Sequence, residues 1–385
     1  MSKIAKQSSL QYFFLDTWYN KRWWAYFLLP VAWLYQLLAY LYSLIQKKRA
    51  CKLSVPVVVI GNISVGGTGK TPVIISLANA LSQQGISVGI VSRGYASNAP
   101  HYPYIVTAYN NDASITGDEP LLIAKATNCV VAIDKDRVAA AKYLLAEFPE
   151  IDIILSDDGL QHYRLERDLE VVVVDGGRGL GNHFCLPAGP LREPPKRLAS
   201  IDWVLVNQDA AKVNANTNAA VNDSMNKLLM MTVEPKAWCN LSTQVEHSLQ
   251  PLPWLRKERL VQGSVKKNSS GGNDTIKDSL KKNNPAEKEQ QVKAIAGIGN
   301  PQRFFNTLHS LSIECEAFGF DDHYAFSAND FSHWKDTTVL MTEKDAVKCQ
   351  SFLQDTILGE ECWSLIVSIT LPDIFLESVI RLVKR

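Results

Sequence analysis

Val57-Val58-Val59-Ile60-Gly61-Asn62-Ile63-Ser64-Val65-Gly66-Gly67-Thr68-Gly69-Lys70-Thr71-Pro72 is the stretch that decides the fold. Its four leading β-branched residues follow Pro56 without polar alternation, which reads as a parallel strand buried on both faces. After the glycines, Val73, Ile74, Leu77, Ala78 and Leu81 keep helical spacing as far as Gly85, a residue suited to ending a helix. Strand, glycine loop, lysine and helix therefore follow one another in the order that a phosphate cradle requires. Gly66, Gly67, Thr68 and Gly69 let backbone N–H groups close on phosphate oxygens. Lys70 reaches the β- and γ-phosphates, and the Thr71 hydroxyl can ligate Mg²⁺. Pro72 is tolerated there because the first N–H groups of a helix have no intrahelical partner. ATP and Mg²⁺ are the cofactors this loop implies.

The usual spacing of such a loop would place glycine at position 64, where this chain has Ser64. The form G-G-x-G-K-T resembles the variant loop of ParA-like and arsenical-pump ATPases, although Val65 stands where their signature lysine would be. A second apolar run, Ile151 to Leu155, ends at Ser156-Asp157-Asp158-Gly159. Carboxylates at the carboxyl end of a parallel strand can hold Mg²⁺ or its water shell, so Asp157 and Asp158 are metal candidates. Further strands are expected at Val171–Asp175 and Trp203–Asn207, which makes an α/β sheet covered on both faces the natural architecture.

With 385 residues, 46% of them hydrophobic and 21% charged, the chain can build one large or two medium cores. Forty basic residues against 39 acidic ones do not supply the phosphate neutralisation that nucleic-acid binding demands, so no nucleic-acid partner is expected. Nothing indicates an obligate protein partner. The seven cysteines are scattered and never spaced C-x-x-C, which disfavours a disulfide framework and a zinc site and suits a reducing compartment.

Trp23 to Ile45 carries no charge and is flanked by Lys21-Arg22 and Lys47-Lys48-Arg49. The run is long enough to cross a bilayer and too long and aromatic for a signal peptide. Basic residues at both ends, an early Pro30 and the aromatic content favour a helix lying along a membrane surface. On a helical wheel Ala25, Leu29, Ala32, Gln36, Ala39 and Ser43 share one small, weakly polar face. Trp23, Trp24, Phe27, Trp33, Leu34, Leu37, Leu38 and Leu41 project elsewhere. The alternative is a core helix, in which each buried tryptophan and tyrosine would need a polar partner.

Eight ordered motifs carry a resemblance over nearly the whole chain. They are Gly61-Asn62 with Gly66 to Pro72, Ser92-Arg93-Gly94-Tyr95, Gly117-Asp118-Glu119-Pro120, Asp157-Asp158-Gly159-Leu160-Gln161-His162, Leu186 to Glu193, Gly297-Ile298-Gly299-Asn300-Pro301, Asp321-Asp322-His323-Tyr324 and Thr342 to Lys348. In these the chain resembles the tetraacyldisaccharide 4′-kinase (lipid A 4′-kinase) family. The resemblance implies a P-loop core, a second, smaller α/β domain and an N-terminal membrane-associating helix, with the site in the cleft between the domains. It further implies an enzyme of the inner membrane, peripheral or monotopic on the cytoplasmic face. Its acceptor would be the lipid A disaccharide 1-phosphate precursor, phosphorylated on the 4′-hydroxyl.

Carried over by position, the resemblance makes Asp118 the catalytic carboxylate with His323 beside it. Glu119 becomes a metal-shell or positioning residue and Arg192 a phosphate-facing cation. The chemistry agrees, because a sugar hydroxyl is too weakly acidic to ionise near neutral pH and needs a group that orients it and takes its proton late. Asp118 is expected in an exposed loop after Thr116-Gly117. The expected organisation is a membrane-associating segment 1–50, a nucleotide-binding α/β domain 51–262, a polar, low-complexity insertion 263–291 and a smaller α/β domain 292–385. In the last, a strand at Val292–Ala296, a helix at Phe304–Leu311 and a strand at Thr338–Thr342 are expected. The competing function is a membrane-recruited ATPase switch of the ParA or arsenical-pump type, which would transfer phosphoryl to water and need no base aimed at a sugar.

Overall fold

The computed structural model describes residues 9–108, 112–208, 227–250, 252, 292–334 and 337–384. The insertion expected at 263–291 lies outside the described residues.

Strand β1, Val57–Gly61, is buried at every position and pairs in parallel on both sides. Its neighbours are β5 (Ile153–Asp157) and β6 (Leu169–Asp175). The absence of polar alternation follows from this central place, since helices cover both faces. Outward on one side lie β2 (Val88–Ser92), β4 (Val130–Ile133) and the antiparallel edge strand β3 (Tyr104–Val106). On the other side come β7 (Trp203–Gln208) and the thirteen-residue β8 (Leu228–Asn240), carrying the short β9 (Glu246–Ser248). Beyond β8 the same sheet continues through β13 (Cys362–Thr370), β12 (Thr338–Thr342), β10 (Val292–Ala296) and β11 (Glu316–Gly319).

Two parallel blocks are thus joined in one sheet, and the join is β8. Its first residues, Leu228–Thr232, run parallel to β7, while Thr232–Asn240 run antiparallel to β13. Pro235 has no N–H to give a ladder, and the register shifts beside it, between Ile366 and Val367.

Alternate residues of the central strands feed opposite cores, as the two-residue period of a strand requires. Val58, Ile60, Leu155 and Val171 pack with Val73, Leu77 and Leu81 of the helix Lys70–Gln83. Val57, Val59, Ile154 and Val172 pack with Ala140, Ala141 and Leu144 of the helix Arg137–Glu147. The final helix, Asp373–Val383, returns to the first block: Phe375 and Val379 join its core, and Trp203 Nε1 donates to Ser378 Oγ at 3.0 Å. At the end of Lys70–Gln83, Gly85 takes a φ of +76° and Ile86 N donates back to Leu81 O at 3.1 Å, the expected left-handed termination.

The N-terminal segment forms a helix Ser9–Tyr19, a 3₁₀ turn Trp23–Leu28 and a helix Leu29–Lys48 that starts at Pro30. Proline ends the first turn and fits the next helix start, where its missing N–H costs nothing. All six residues of the small wheel face are at least partly covered, with Ala25, Ala32 and Ser43 buried. Trp23, Phe27, Trp33, Leu34, Leu37, Leu38 and Leu41 are exposed. Trp24 is the exception on that outer set, half-buried and stacked on Phe13 at 4.5 Å. This is no core helix, since only 11% of its apolar window is buried. It is tied down by Tyr35, whose hydroxyl donates to Arg192 O (3.2 Å), and by Lys47 over the Tyr163 ring (5.0 Å).

Candidate active site

The chain leaves β1 into a tight loop. Asn62 Nδ2 donates to Gly66 O at 3.2 Å and Val65 N to Pro190 O at 2.8 Å, which hold the loop's near side. Gly66 (φ +107°) and Gly69 (φ +94°) adopt backbone that other residues resist. Gly69 immediately precedes the helix Lys70–Gln83 and has no side chain to cap it, so first-turn N–H groups are left facing whatever anion sits there. From the second block, the loop Gly297-Ile298-Gly299-Asn300 lies directly against these glycines. A Cβ on Gly299 would stand 2.3 Å from Gly67 N. Arg178 Nη1 donates to Gly299 O (2.9 Å) and Asn300 Nδ2 to Asp175 Oδ2 (3.2 Å), fastening that loop down.

Asp157 is the last residue of β5, two residues beyond the expected end, because Asp152 is used in the preceding turn, where its carboxylate accepts from Ser87 N. Asp157 is buried, and Oδ2 accepts from Ser92 Oγ at 2.8 Å. Its Oδ1 is buried with no hydrogen-bond partner, as is Thr68 Oγ1. Burial, then the nearby Glu119 and Asp158 charges, push the Asp157 carboxyl up to about 7. Asp158 behaves oppositely: burial would raise it, but Lys70 (3.6 Å) and Arg192 (2.9 Å) hold it well below the usual carboxylate range. Arg192 thus sits beside the nucleotide loop already engaged by a carboxylate. An orphaned, buried carboxylate oxygen near Lys70 of the loop fits Mg²⁺, a hard cation that takes few protein oxygens and fills its shell with phosphate and water.

Behind Asp157 the Arg137 side chain is 1% exposed, donating to Asp134 O (2.6 Å) and Asp157 O (3.3 Å), and burial lowers its pKa to about 10. It also lines a cavity of about 280 Å³ with Tyr42, Gln46, Lys135, His162 and Arg164, open beside the exposed N-terminal helix. Burial, with Arg137 and Arg93 near, lowers His162 to about 4, so its imidazole is neutral.

Asp118 is not in an exposed loop. It is 6% exposed and opens the helix Asp118–Thr127. Gly117, at φ +86°, turns the short helix Ala113–Thr116 directly into it, and a Cβ there would meet Tyr95 O at 2.8 Å. From the second block His323 reaches across, with Nδ1 3.0 Å from Asp118 Oδ2 and 3.2 Å from Oδ1. His323 has a φ of +60°, uncommon for a residue other than glycine, and its ring lies 4.6 Å from that of Tyr95. Burial alone would raise the Asp118 pKa, but the His323 hydrogen bond and the Lys344 ammonium hold it to about 2. Two residues assigned from distant motifs, 205 positions apart, are in contact.

Sequence reasoning assigned no role to Lys344, although its motif was noted. The side chain, from the helix Glu343–Leu353, contacts Glu119 (3.0 Å), Asp322 (3.2 Å) and Asp118 (3.8 Å). Burial would lower its pKa, and the three carboxylates override that and raise it. Glu119 therefore faces two ways: toward Asp157, whose pKa its charge raises, and toward Lys344. Nucleotide loop, carboxylates and the Asp118–His323 pair form one connected set of charges spanning both blocks.

A family model described as tetraacyldisaccharide-1-P 4′-kinase matches residues 24–384. A tetraacyldisaccharide 4′-kinase of Legionella pneumophila (strain Lens) is 40% identical over 355 residues, covering 90% of this chain and 92% of that one. One from Ectopseudomonas mendocina (strain ymp) is 42% identical over 347 residues, 88% of each chain. Among solved structures, LpxK from Aquifex aeolicus in complex with ATP matches with a TM-score of 0.67 at 26% identity, covering 93% of this chain and 99% of that one.

Proposed function

The chain belongs to the tetraacyldisaccharide 4′-kinase family and is a lipid A 4′-kinase, and on that premise we propose how its residues divide the transfer of phosphate from ATP to the 4′-hydroxyl of a tetraacyldisaccharide 1-phosphate. Gly66 to Thr71 bind the nucleotide phosphates, and Lys70 neutralises charge that grows on the transferred group. Thr71, Asp157, Asp158 and Glu119 would hold Mg²⁺ directly or through water, and the ion would supply neutralisation of phosphate charge. Asp157, with its unpartnered Oδ1, would offer an oxygen to it. Asp158, already countered by Lys70 and Arg192, orients those two cations toward the phosphates.

Asp118 and His323 take the proton of the attacking hydroxyl. With Asp118 held to about 2, the carboxylate is a weak base on its own. Asp118 accepts from His323 Nδ1, which fixes the carboxylate, and the proton passes to the pair late, once bonding to phosphorus has made the hydroxyl acidic. The observation that carries this reading is the 3.0 Å contact between Asp118 and His323, made across the two blocks. A neutral His162 and the basic cavity beside the apolar helix support an acceptor whose sugar and phosphate enter there while its acyl chains stay in lipid. The exposed helix face supports seating at the cytoplasmic surface of the inner membrane.

The ATPase-switch alternative is not favoured, because the family match runs through the second block that supplies His323. The test is kinase turnover with saturating ATP and a lipid A disaccharide monophosphate in detergent. Asp118→Ala and His323→Ala should each lower kcat by about 10²-fold or more. Together they should cost much less than the product, since a unit broken once has little left to lose. A negligible effect of Asp118→Ala overturns the assignment.

A further inference from the structure

We infer that Lys344 is the positioning residue of the proton-accepting pair, the ammonium that fixes Asp118 and His323 in register across the two blocks. The inference rests on the assignment of that pair. Lys344 contacts Asp118 and Glu119 from the first block and Asp322 and the His323 Nε2 edge (3.4 Å) from the second. Among the described residues it therefore touches both members of the pair and the residue flanking each. Asp322 in turn fixes the histidine's own backbone, its Oδ1 accepting from His323 N at 3.1 Å.

Helix stability does not call for a lysine there. Lys344 lies in the first turn of Glu343–Leu353, where a cation opposes the helix dipole and an acidic residue is preferred. Nor is it a solvated surface charge, being 14% exposed at its side chain among three carboxylates. The backbone beneath it is firmly held. Thr342 caps the helix by accepting from Asp345 N (3.2 Å), and the buried Asp345 accepts from Gly297 N (3.0 Å) and pairs with Lys348 (2.7 Å). A rigid base thus carries an ammonium to the point where the blocks meet.

The physical role follows from this placement. Left without the ammonium, Asp118, Glu119 and Asp322 would crowd three negative charges into one partly dry site and repel one another. Asp118 would turn from His323. With the ammonium present, the carboxylate stays aimed at Nδ1, and the ring is held with its Nε2 edge against Lys344. Lys344 acts through the pair and forms no bond to the transferred group.

The test is a double-mutant cycle on kcat, with ATP and lipid A disaccharide monophosphate saturating and nucleotide affinity and melting temperature recorded for each variant. Lys344→Met should lower kcat by about 10²-fold, the scale of losing a general base, with ATP affinity within about threefold of wild type. In a His323→Ala background the same substitution should cost less than about threefold, because the group it positions is gone. Lys344→Arg keeps the charge and should recover at least tenfold of the loss. Should Lys344→Met not fold, the cycle run with Lys344→Arg carries the same comparison at smaller amplitude. An equal loss in both backgrounds overturns the inference, since Lys344 would then act on the phosphates, on Glu119 or on the fold. If His323→Ala alone leaves kcat intact, the pair itself is misassigned, a result distinguishable from the first, and both readings fall.

Discussion

Asp157→Asn should remove activity and yet make the nucleotide-free protein more stable above neutral pH. Burial, Glu119 and Asp158 raise the folded-state pKa of Asp157 from 3.8 to about 7. Between those values the folded protein binds more protons at this site than the unfolded chain, so the contribution to stability falls as pH rises through the window. At about 1.4 kcal/mol per unit, the buried charge costs on the order of 4 kcal/mol at pH 8, an upper bound because surrounding groups relax. Asparagine has nearly the same shape and never ionises. Its carbonyl oxygen can still accept from Ser92, while its amide adds a buried donor whose lack of a partner costs roughly 1–3 kcal/mol. The net effect at pH 8 is therefore modest, and the quantity to read is the sign of the slope. Moving from pH 5 to pH 8, the variant should gain about 3 kcal/mol on wild type, over two units of titration. The assay is the melting temperature of both proteins across pH 5 to 8 without nucleotide or divalent cation, then again with MgATP. The cation should stabilise wild type more than the variant and close the gap. A difference independent of pH, or a slope of the opposite sign, would refute the reasoning.

Lys70→Ala should lower kcat by about 10³-fold with unchanged circular dichroism, because its ammonium faces developing phosphoryl charge and Arg192 remains to counter Asp158. Near-normal turnover would sink the nucleotide-loop assignment. Gly299→Ala places a methyl 2.3 Å from Gly67 N, so one loop must retreat; KM for ATP should rise by about tenfold, and an unchanged KM would mean that the contact is dispensable. Replacing Trp33, Leu37 and Leu41 by Ser together should abolish vesicle co-sedimentation at high salt while leaving the melting temperature nearly unchanged, since all three are exposed. Retained binding would place the anchor elsewhere.

What the sequence by itself determined here was everything carried by local pattern. The β-branched run before Gly61 could only be a strand covered on both sides. The glycines, Lys70 and Thr71 followed in the order of a phosphate cradle, and Ala25, Ala32 and Ser43 fell on one small face of the N-terminal segment, which the fold then buries. These features depend on periods of two or 3.6 residues and on steric freedom at single positions, which are legible without a partner. The association of Asp118 with His323 was an expectation drawn from resemblance, since no local pattern links residues 205 positions apart.

Tertiary structure decided the rest. Asp118 reads as a loop residue after Thr116-Gly117, yet Gly117 folds two helices end to end and buries it. Lys344 stood in the Thr342 to Lys348 motif without a role, and only the closure of one block on the other surrounds it with Glu119, Asp118 and Asp322. The continuity of the sheet through β8 was equally invisible, because one strand serves a parallel neighbour at one end and an antiparallel one at the other. For the Asp118, His323 and Lys344 cluster the determining energy is a desolvated contact between segments far apart in the chain, which no local window of sequence contains.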